Sequence, residues 1–286
     1  MMPVMSSIFE KGIIQNILIP TNKNPITMGA IDYIVSMFPD ANFFILGVVD
    51  ITGESTLLYT SYSSDHLDVL EKLEQDAINE IKAQLEKKHA KIEESKILYG
   101  HPANAILKYS KKKNINLIVL ATTSKVGSEM INLGSTARGV IVRTRIPVLL
   151  IPPNAGLRPV KTVLNPSTFS KYSFRASLLA LSFAKHFNAS VKVLEVGGQY
   201  NEGMLTPIKE YAKNQEINIE FLPSSSKNSV VKEILELAKQ CDIMIASRGR
   251  RGISYKFRYL HKDFSLGNVE RSVISLSEIP VILVNE

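Results

Sequence analysis

Short apolar runs alternate along the chain with longer stretches in which apolar residues recur every three or four positions. Asn16–Pro20 (NILIP) is apolar and ended by proline, the pattern of a buried strand. Met28, Ile31, Ile34 and Val35 then fall at helical spacing, and Phe38-Pro39 closes that predicted helix. Residues 43–49 (FFILGVV) read as a second strand buried on both faces. Leu67, Leu70, Leu73, Ile78, Ile81 and Leu85 predict one side of a long helix rich in Glu and Lys. Residues 96–99 predict a third strand, 103–111 a third helix and Leu117–Ala121 (LIVLA) a fourth strand. A short helix over 136–142 and a fifth strand, Val148–Ile151 (VLLI), follow. Five strands alternating with four helices imply βαβ crossovers, hence a parallel sheet covered on both faces.

The pattern then restarts. Pro152, Pro153, Asn154, Ala155, Gly156 and Pro159 form a linker-like stretch. Residues 162–166 (TVLNP) repeat NILIP, 176–187 the first helix and 190–196 (SVKVLEV) the second strand. Residues 230–239 followed by 242–246 (DIMIA) repeat the third helix and fourth strand. Arg145-Ile146-Pro147-Val148-Leu149-Leu150-Ile151 and Glu278-Ile279-Pro280-Val281-Ile282-Leu283-Val284 are the best-matched pair. A period near 130 residues marks a duplicated domain, because solenoid units run only about 20–50 residues. The predicted domains are 1–154 and 155–286, the second with an insertion near 250–264 and a shorter second helix around 205–212.

Composition narrows the class without changing this picture. Apolar residues make up 45% and charged residues 21% of the 286, an ordinary globular mixture. Residues 1–155 carry 16 basic and 15 acidic groups, whereas 156–286 carry 18 and 12, so nearly all of the +7 net charge belongs to the second half. Cys241 is the only cysteine; it excludes an intrachain disulfide and suits a reducing compartment. No apolar run approaches the roughly 18 residues of a membrane span. Residues 1–7 lack the basic and apolar regions of a secretion signal. A soluble, cytoplasmic protein is the expectation.

The ordered pieces Ile17-Leu18-Ile19-Pro20-Thr21, Gly100-His101-Pro102, Asn116-Leu117-Ile118-Val119, Gly134-Ser135 and Ile146-Pro147-Val148-Leu149-Leu150 resemble those of the universal stress protein family, and the chain looks like a tandem member. The resemblance implies two doubly wound, Rossmann-like α/β domains, each a five-stranded parallel sheet of order 3-2-1-4-5. It also implies pairing through strand five. Val148–Ile151 and Val281–Val284 are therefore expected to meet each other, a pseudo-dimer within the chain, or the same strand of a second chain in a homodimer. Some members of the family bind ATP and others do not.

Nucleotide-binding members carry G-x-x-G-x9-G-S/T after strand four. Glycines there let the backbone approach phosphates, and N–H groups at the next helix start donate to them. The first copy places Ala121, Ser124, Gly134 and Ser135 at these positions, keeping the spacing and the final Gly-Ser but not the first two glycines. Gly127 lies nearby to supply backbone freedom. Asn22 replaces the family's acidic contact to the nucleoside, and Val48 matches a position that meets the adenine. Arg138, one turn past Ser135, is placed to neutralise phosphate charge if its side chain points back. In the second copy Ala246 and Gly249 fill the first two positions, but seventeen residues separate Gly249 from Gly267, Asn268 replaces Ser or Thr, and Thr168 takes the acidic position. The first copy is the better candidate for ATP or a related adenine nucleotide.

The remaining candidates have simpler readings. His101, before Pro102, reads as a turn residue, and His66, His89, His186 and His261 show no metal-ligand spacing. Cys241 reads as a small buried hydrophobe. Ser135 is a phosphate contact or an N-cap. Lys111, Lys112 and Lys113 read as a solvated cap offsetting the helix dipole. Arg248, Arg250, Arg251, Lys256, Arg258 and Lys262 form a basic stretch in the insertion, with Tyr255, Phe257 and Tyr259 interleaved. That stretch is either a polyanion contact with stacking aromatics or a solvated loop.

The expectation from resemblance is a non-enzymatic stress-response protein that binds an adenine nucleotide in its first domain. The alternatives are a ligand-free interaction module and an adenylyl-group enzyme. The enzyme would need a glycine-rich loop after strand one, where Thr21-Asn22-Lys23-Asn24-Pro25 holds no glycine.

Overall fold

In the computed structural model the apolar runs become parallel strands buried on both faces, and the amphipathic stretches become the helices that cover them. The described residues are 14–21, 28–52, 64–121, 123–124, 131–153, 155–196, 202–224, 229–248 and 268–285. Among them the chain divides into two compact units: 14–123 with 133–153, and 155–285 with 124, 131 and 132.

The first unit contains β1 (Asn16–Pro20), α1 (Met28–Met37), β2 (Asn42–Val49), α2 (Ser64–Lys87), β3 (Lys91–Tyr99), α3 (Pro102–Lys112) and β4 (Leu117–Ala121). The short strands β5 (Thr123–Ser124) and β6 (Ile131–Asn132) follow in the chain, then α4 (Ser135–Ile141) and β7 (Val148–Ile151). Its sheet runs β3-β2-β1-β4-β7 with every pair parallel, which is order 3-2-1-4-5 counted within the unit. Ile17 at the centre pairs with Phe43 on one side and Leu117 on the other, and all three side chains are fully buried.

The two faces of β2 show how close the cover lies. Phe44 meets Tyr109 of α3 edge-on, with ring centroids 6.4 Å apart. Gly47 points the other way, under α2: a Cβ there would stand 3.2 Å from Glu74 Cβ, Glu74 Oε2 and Ile78 Cδ1. A side chain at 47 would require Glu74 or Ile78 of α2 to give by a few tenths of an ångström.

Two expectations for this unit need correction. The leucine spacing puts Leu73 on the inner stripe of α2, yet it is 60% exposed. At 3.6 residues per turn, positions 70, 74, 78, 81 and 85 share a side, and Leu73 turns away from it. Glu74 takes the inner position, where its carboxylate accepts a hydrogen bond from Thr21 Oγ1. Lys113, read as part of a solvated cap, instead reaches β3 and pairs with Glu94. That lysine, hydrogen-bonding the carboxylate, holds Glu94 below its ordinary pKa.

The turn between β3 and α3 fits the simple reading of His101. Gly100 has φ +130, a conformation that favours glycine. His101 is the N-cap of α3, its carbonyl accepts from the Ala105 N–H at 3.0 Å, and Pro102 opens the helix.

The second unit contains β8 (Thr162–Ser167), α5 (Lys171–Phe187), β9 (Ser190–Glu195), α6 (Glu202–Asn214), β10 (Ile219–Pro223), α7 (Val230–Ala238), β11 (Ile243–Ser247), α8 (Asn268–Leu276) and β12 (Val281–Val284). Its order is β10-β9-β8-β11-β12, all parallel and again 3-2-1-4-5 within the unit. The fold is thus Rossmann-like α/β in both units. Helix α6 has 13 residues against 24 in α2, the shortening that the repeat pattern predicts. Among the described residues no helix is long and apolar enough to cross a membrane.

Candidate functional site

An open parallel sheet forms a crevice at the carboxyl ends of the strands where its order reverses. In order 3-2-1-4-5 that point lies between β1 and β4 in the first unit, and between β8 and β11 in the second. Each unit therefore has one place where the backbone geometry favours a ligand.

In the first unit, Thr21 follows β1 and its N–H donates to the Leu46 carbonyl at 2.8 Å. Ala121 closes β4 half-buried, paired with Ile151. Val48 is buried in β2 opposite Leu98, four residues after Phe44 and so on the face that α3 covers. Ser124, in β5, falls outside this unit. Asn22 and Gly127 lie outside the described residues.

The start of α4 gathers the other three residues. Gly134 is the N-cap, at φ −56 and ψ 159, an ordinary conformation that does not itself require glycine. No described atom lies within 4 Å of where its Cβ would stand. Ser135 is the first helical residue and not the N-cap, and it is exposed. The Arg138 side chain does point back: its Nη2 donates to the Leu133 carbonyl at 3.4 Å, which brings the guanidinium to the helix start. An exposed N-terminus, room above a glycine and a returning cation are what an anionic group needs.

Packing against α3 fixes this helix start. A Cβ on Gly139 would stand 2.9 Å from the Ala103 Cβ, so α4 rests directly on α3 only because residue 139 lacks one. Arg143 ties the same helices, with Nε donating to the Gly139 carbonyl at 2.8 Å and Nη1 donating to the Asn104 side chain.

The second unit's crevice has another character. A cavity of about 220 Å³ lies there, with Pro166 and Thr168 from the end of β8, Ala246 and Ser247 from the end of β11, and Glu270 and Val273 from α8 among its walls. Of its lining only Thr168 and Ala246 stand at positions that the sequence singles out for a ligand, because the rest comes from separated elements. The nearest signal is Thr168, which stands where the family carries an acid. Beside the cavity, Phe169 adopts φ +46 although it is bulky and only 2% exposed, held against Phe221 at 6.3 Å between ring centroids.

Two other candidates are structural. Cys241 is fully buried, and burial pushes its thiol up to about 11, so it is no nucleophile at neutral pH. Among the described residues no three His, Cys, Asp or Glu side chains cluster as metal ligands would. Of the basic stretch only Arg248 is described, with its N–H donating to the Val284 carbonyl at 3.0 Å. Arg250, Arg251, Lys256, Arg258 and Lys262, with their aromatic neighbours, lie outside the described residues.

Two sheets of order 3-2-1-4-5 in one chain define a duplicated Rossmann-like class. Comparison makes the family specific. Residues 14–152 match the universal stress protein family. A universal stress protein of Methanocaldococcus jannaschii is 31% identical over 152 residues, covering 52% of this chain and 89% of that protein. The chain belongs to the universal stress protein family. A crystal structure of a universal stress protein from Archaeoglobus fulgidus covers 94% of this chain and 98% of its own, with a TM-score of 0.75 and 20% identity. A protein of unknown function from Pseudomonas aeruginosa PAO1 covers 95% of this chain and 92% of its own, with a TM-score of 0.60 and 12% identity. At such identities the likeness is one of fold, and it extends over both units.

Proposed function

We propose that this protein is a non-enzymatic stress-response factor that binds ATP or a related adenine nucleotide in its first unit. The observation that carries the reading is the start of α4. There the vacant Cβ position of Gly134, the exposed Ser135 and the returned guanidinium of Arg138 meet at one helix end. The phosphates would take the N–H groups of Gly134 and Ser135 with Arg138 as counter-charge, and the nucleoside would extend across β1 towards Asn22 and Val48. Ala121 and Ser124 replace glycines that allow closer backbone approach, so the expected affinity is no better than micromolar, about 8 kcal/mol. Family membership and the surviving Gly-Ser support the reading, and no step in it calls for turnover.

The test joins two measurements on the full chain. Small molecules released by denaturing freshly purified protein are identified by mass, and stripped protein is titrated with ATP by calorimetry. Copurified adenine nucleotide, or saturable heat, supports the reading. No nucleotide and no heat up to about a millimolar contradicts it.

A further inference from the structure

The cavity of the second unit has a composition that phosphate recognition does not explain. Its floor is hydrocarbon: Ile234 of α7, Met244 of β11, Val273 and Ile274 of α8, and Leu283 of β12 all line it. Thr168, Ser170, Tyr172 and Ser247 bring hydroxyl groups to its wall, and Glu270 brings a carboxylate. Among the described residues no lysine or arginine lines it. Counted from Gly134 and Gly267, Glu270 falls where α4 has Ala137, so the second copy sets a negative charge beside the position at which the first is open to an anion.

The hydroxyls are held in place. Thr168 Oγ1 and Ser170 Oγ lie 2.9 Å apart, and the Ser170 N–H donates to Ser173 Oγ at 3.0 Å. The turn carrying Thr168 and Ser170 passes through Phe169 in its left-handed conformation, anchored by Phe221. A bulky residue kept at positive φ is a strain that the surrounding structure must over-determine.

We infer that this cavity is a binding site for a small uncharged molecule with an apolar body of one or two rings and a hydroxyl group, and that it discriminates against phosphates. An apolar cavity of about 150 Å³ accommodates benzene, so 220 Å³ leaves room for a further ring or a short substituent. The body lies on Met244, Val273 and Leu283. The hydroxyl exchanges hydrogen bonds with Thr168, Ser170 or Ser247, which donate and accept alike. Glu270 opposes an anion by charge. This site is independent of the nucleotide reading for the first unit.

The probes are 2-naphthol and 2-naphthyl phosphate, which share a body and differ in charge. The chain has no tryptophan, so naphthol emission is read without that background. Saturable binding of 2-naphthol to the full chain is expected, about tenfold tighter than of its phosphate ester. Ala246→Phe fills the cavity and should remove the binding. Val269→Phe, at a position 41% exposed at the start of α8, obstructs it without entering the core and decides the matter if circular dichroism shows the first variant unfolded. Glu270→Gln should narrow the gap between the two probes. No saturation below about a millimolar, equal or tighter binding of the phosphate, or unchanged naphthol binding in the folded variants would overturn the inference.

Discussion

At the start of α4 the first unit has Gly134, Ser135 and Arg138; at the start of α8 the second has Val269 and Glu270 over a hydrocarbon cavity. Arg271 stands at the position of Arg138 but is not among the cavity's lining residues. The strand order is the same in both units, so the two helix starts can be compared position by position although the connection before α8 is longer. Topology sets where a ligand can go. On the proposed reading, the side chains at the helix start set its charge, and the duplicated chain keeps one crevice for an anion while the other becomes apolar.

Disturbing the seat of α4 should break the comparison on one side only. Gly139→Val forces a side chain into the 2.9 Å approach to Ala103, so α4 must move off α3. The expected loss is about 1–3 kcal/mol of stability, read by denaturant unfolding, with weakened ATP binding. Naphthol binding by the second unit should be unaffected.

A smaller effect separates the ends of the corresponding helices α3 and α7. Lys113 pairs across to Glu94 of β3, whereas Lys239 pairs with Glu236 of its own helix at 3.2 Å, and both of those side chains are more than half exposed. Lys113→Met should cost up to about 1 kcal/mol at neutral pH, and Lys239→Met nothing measurable. Glu94 is depressed below its ordinary 4.5, so its contribution is present above that value and lost as the pH falls through the lower folded value. Unfolding curves of wild type and Lys113→Met should therefore converge in acid. A gap independent of pH would assign the effect to packing of the lysine stem.

The apolar pattern exposed most of the sheet for a physical reason: parallel strands covered on both faces read as continuous hydrophobic runs. At the β3 and β10 ends of the two sheets the signal weakens. The first part of β3, from Lys91, and all of β10 (IEFLP) are at most half-buried in alternation, and the runs there do not reveal them. Helix α8 was not predicted either, although Val269, Val273 and Ile274 recur at helical spacing. Leu73 and Glu74 exchanged expected places because a count of leucines does not fix helical phase, whereas the contact with Thr21 does. At the proposed site, Gly134 and Ser135 were singled out in the sequence because they keep the family's Gly-Ser at its spacing, not because the backbone at Gly134, with φ −56, requires glycine. The cavity was not, since Met244, Val273 and Leu283 are indistinguishable in sequence from core residues.

The division between the two crevices is tested most directly by titrating ATP calorimetrically into wild type, Gly134→Val and Ala246→Phe under one set of conditions. Because the Cβ position of Gly134 is open and its φ of −56 is ordinary, valine there should leave the fold intact while its side chain blocks the phosphate approach. The account predicts saturable heat from wild type and Ala246→Phe, and a loss of at least about tenfold in affinity for Gly134→Val. Equal heats from wild type and Gly134→Val, or heat lost only in Ala246→Phe, would contradict it.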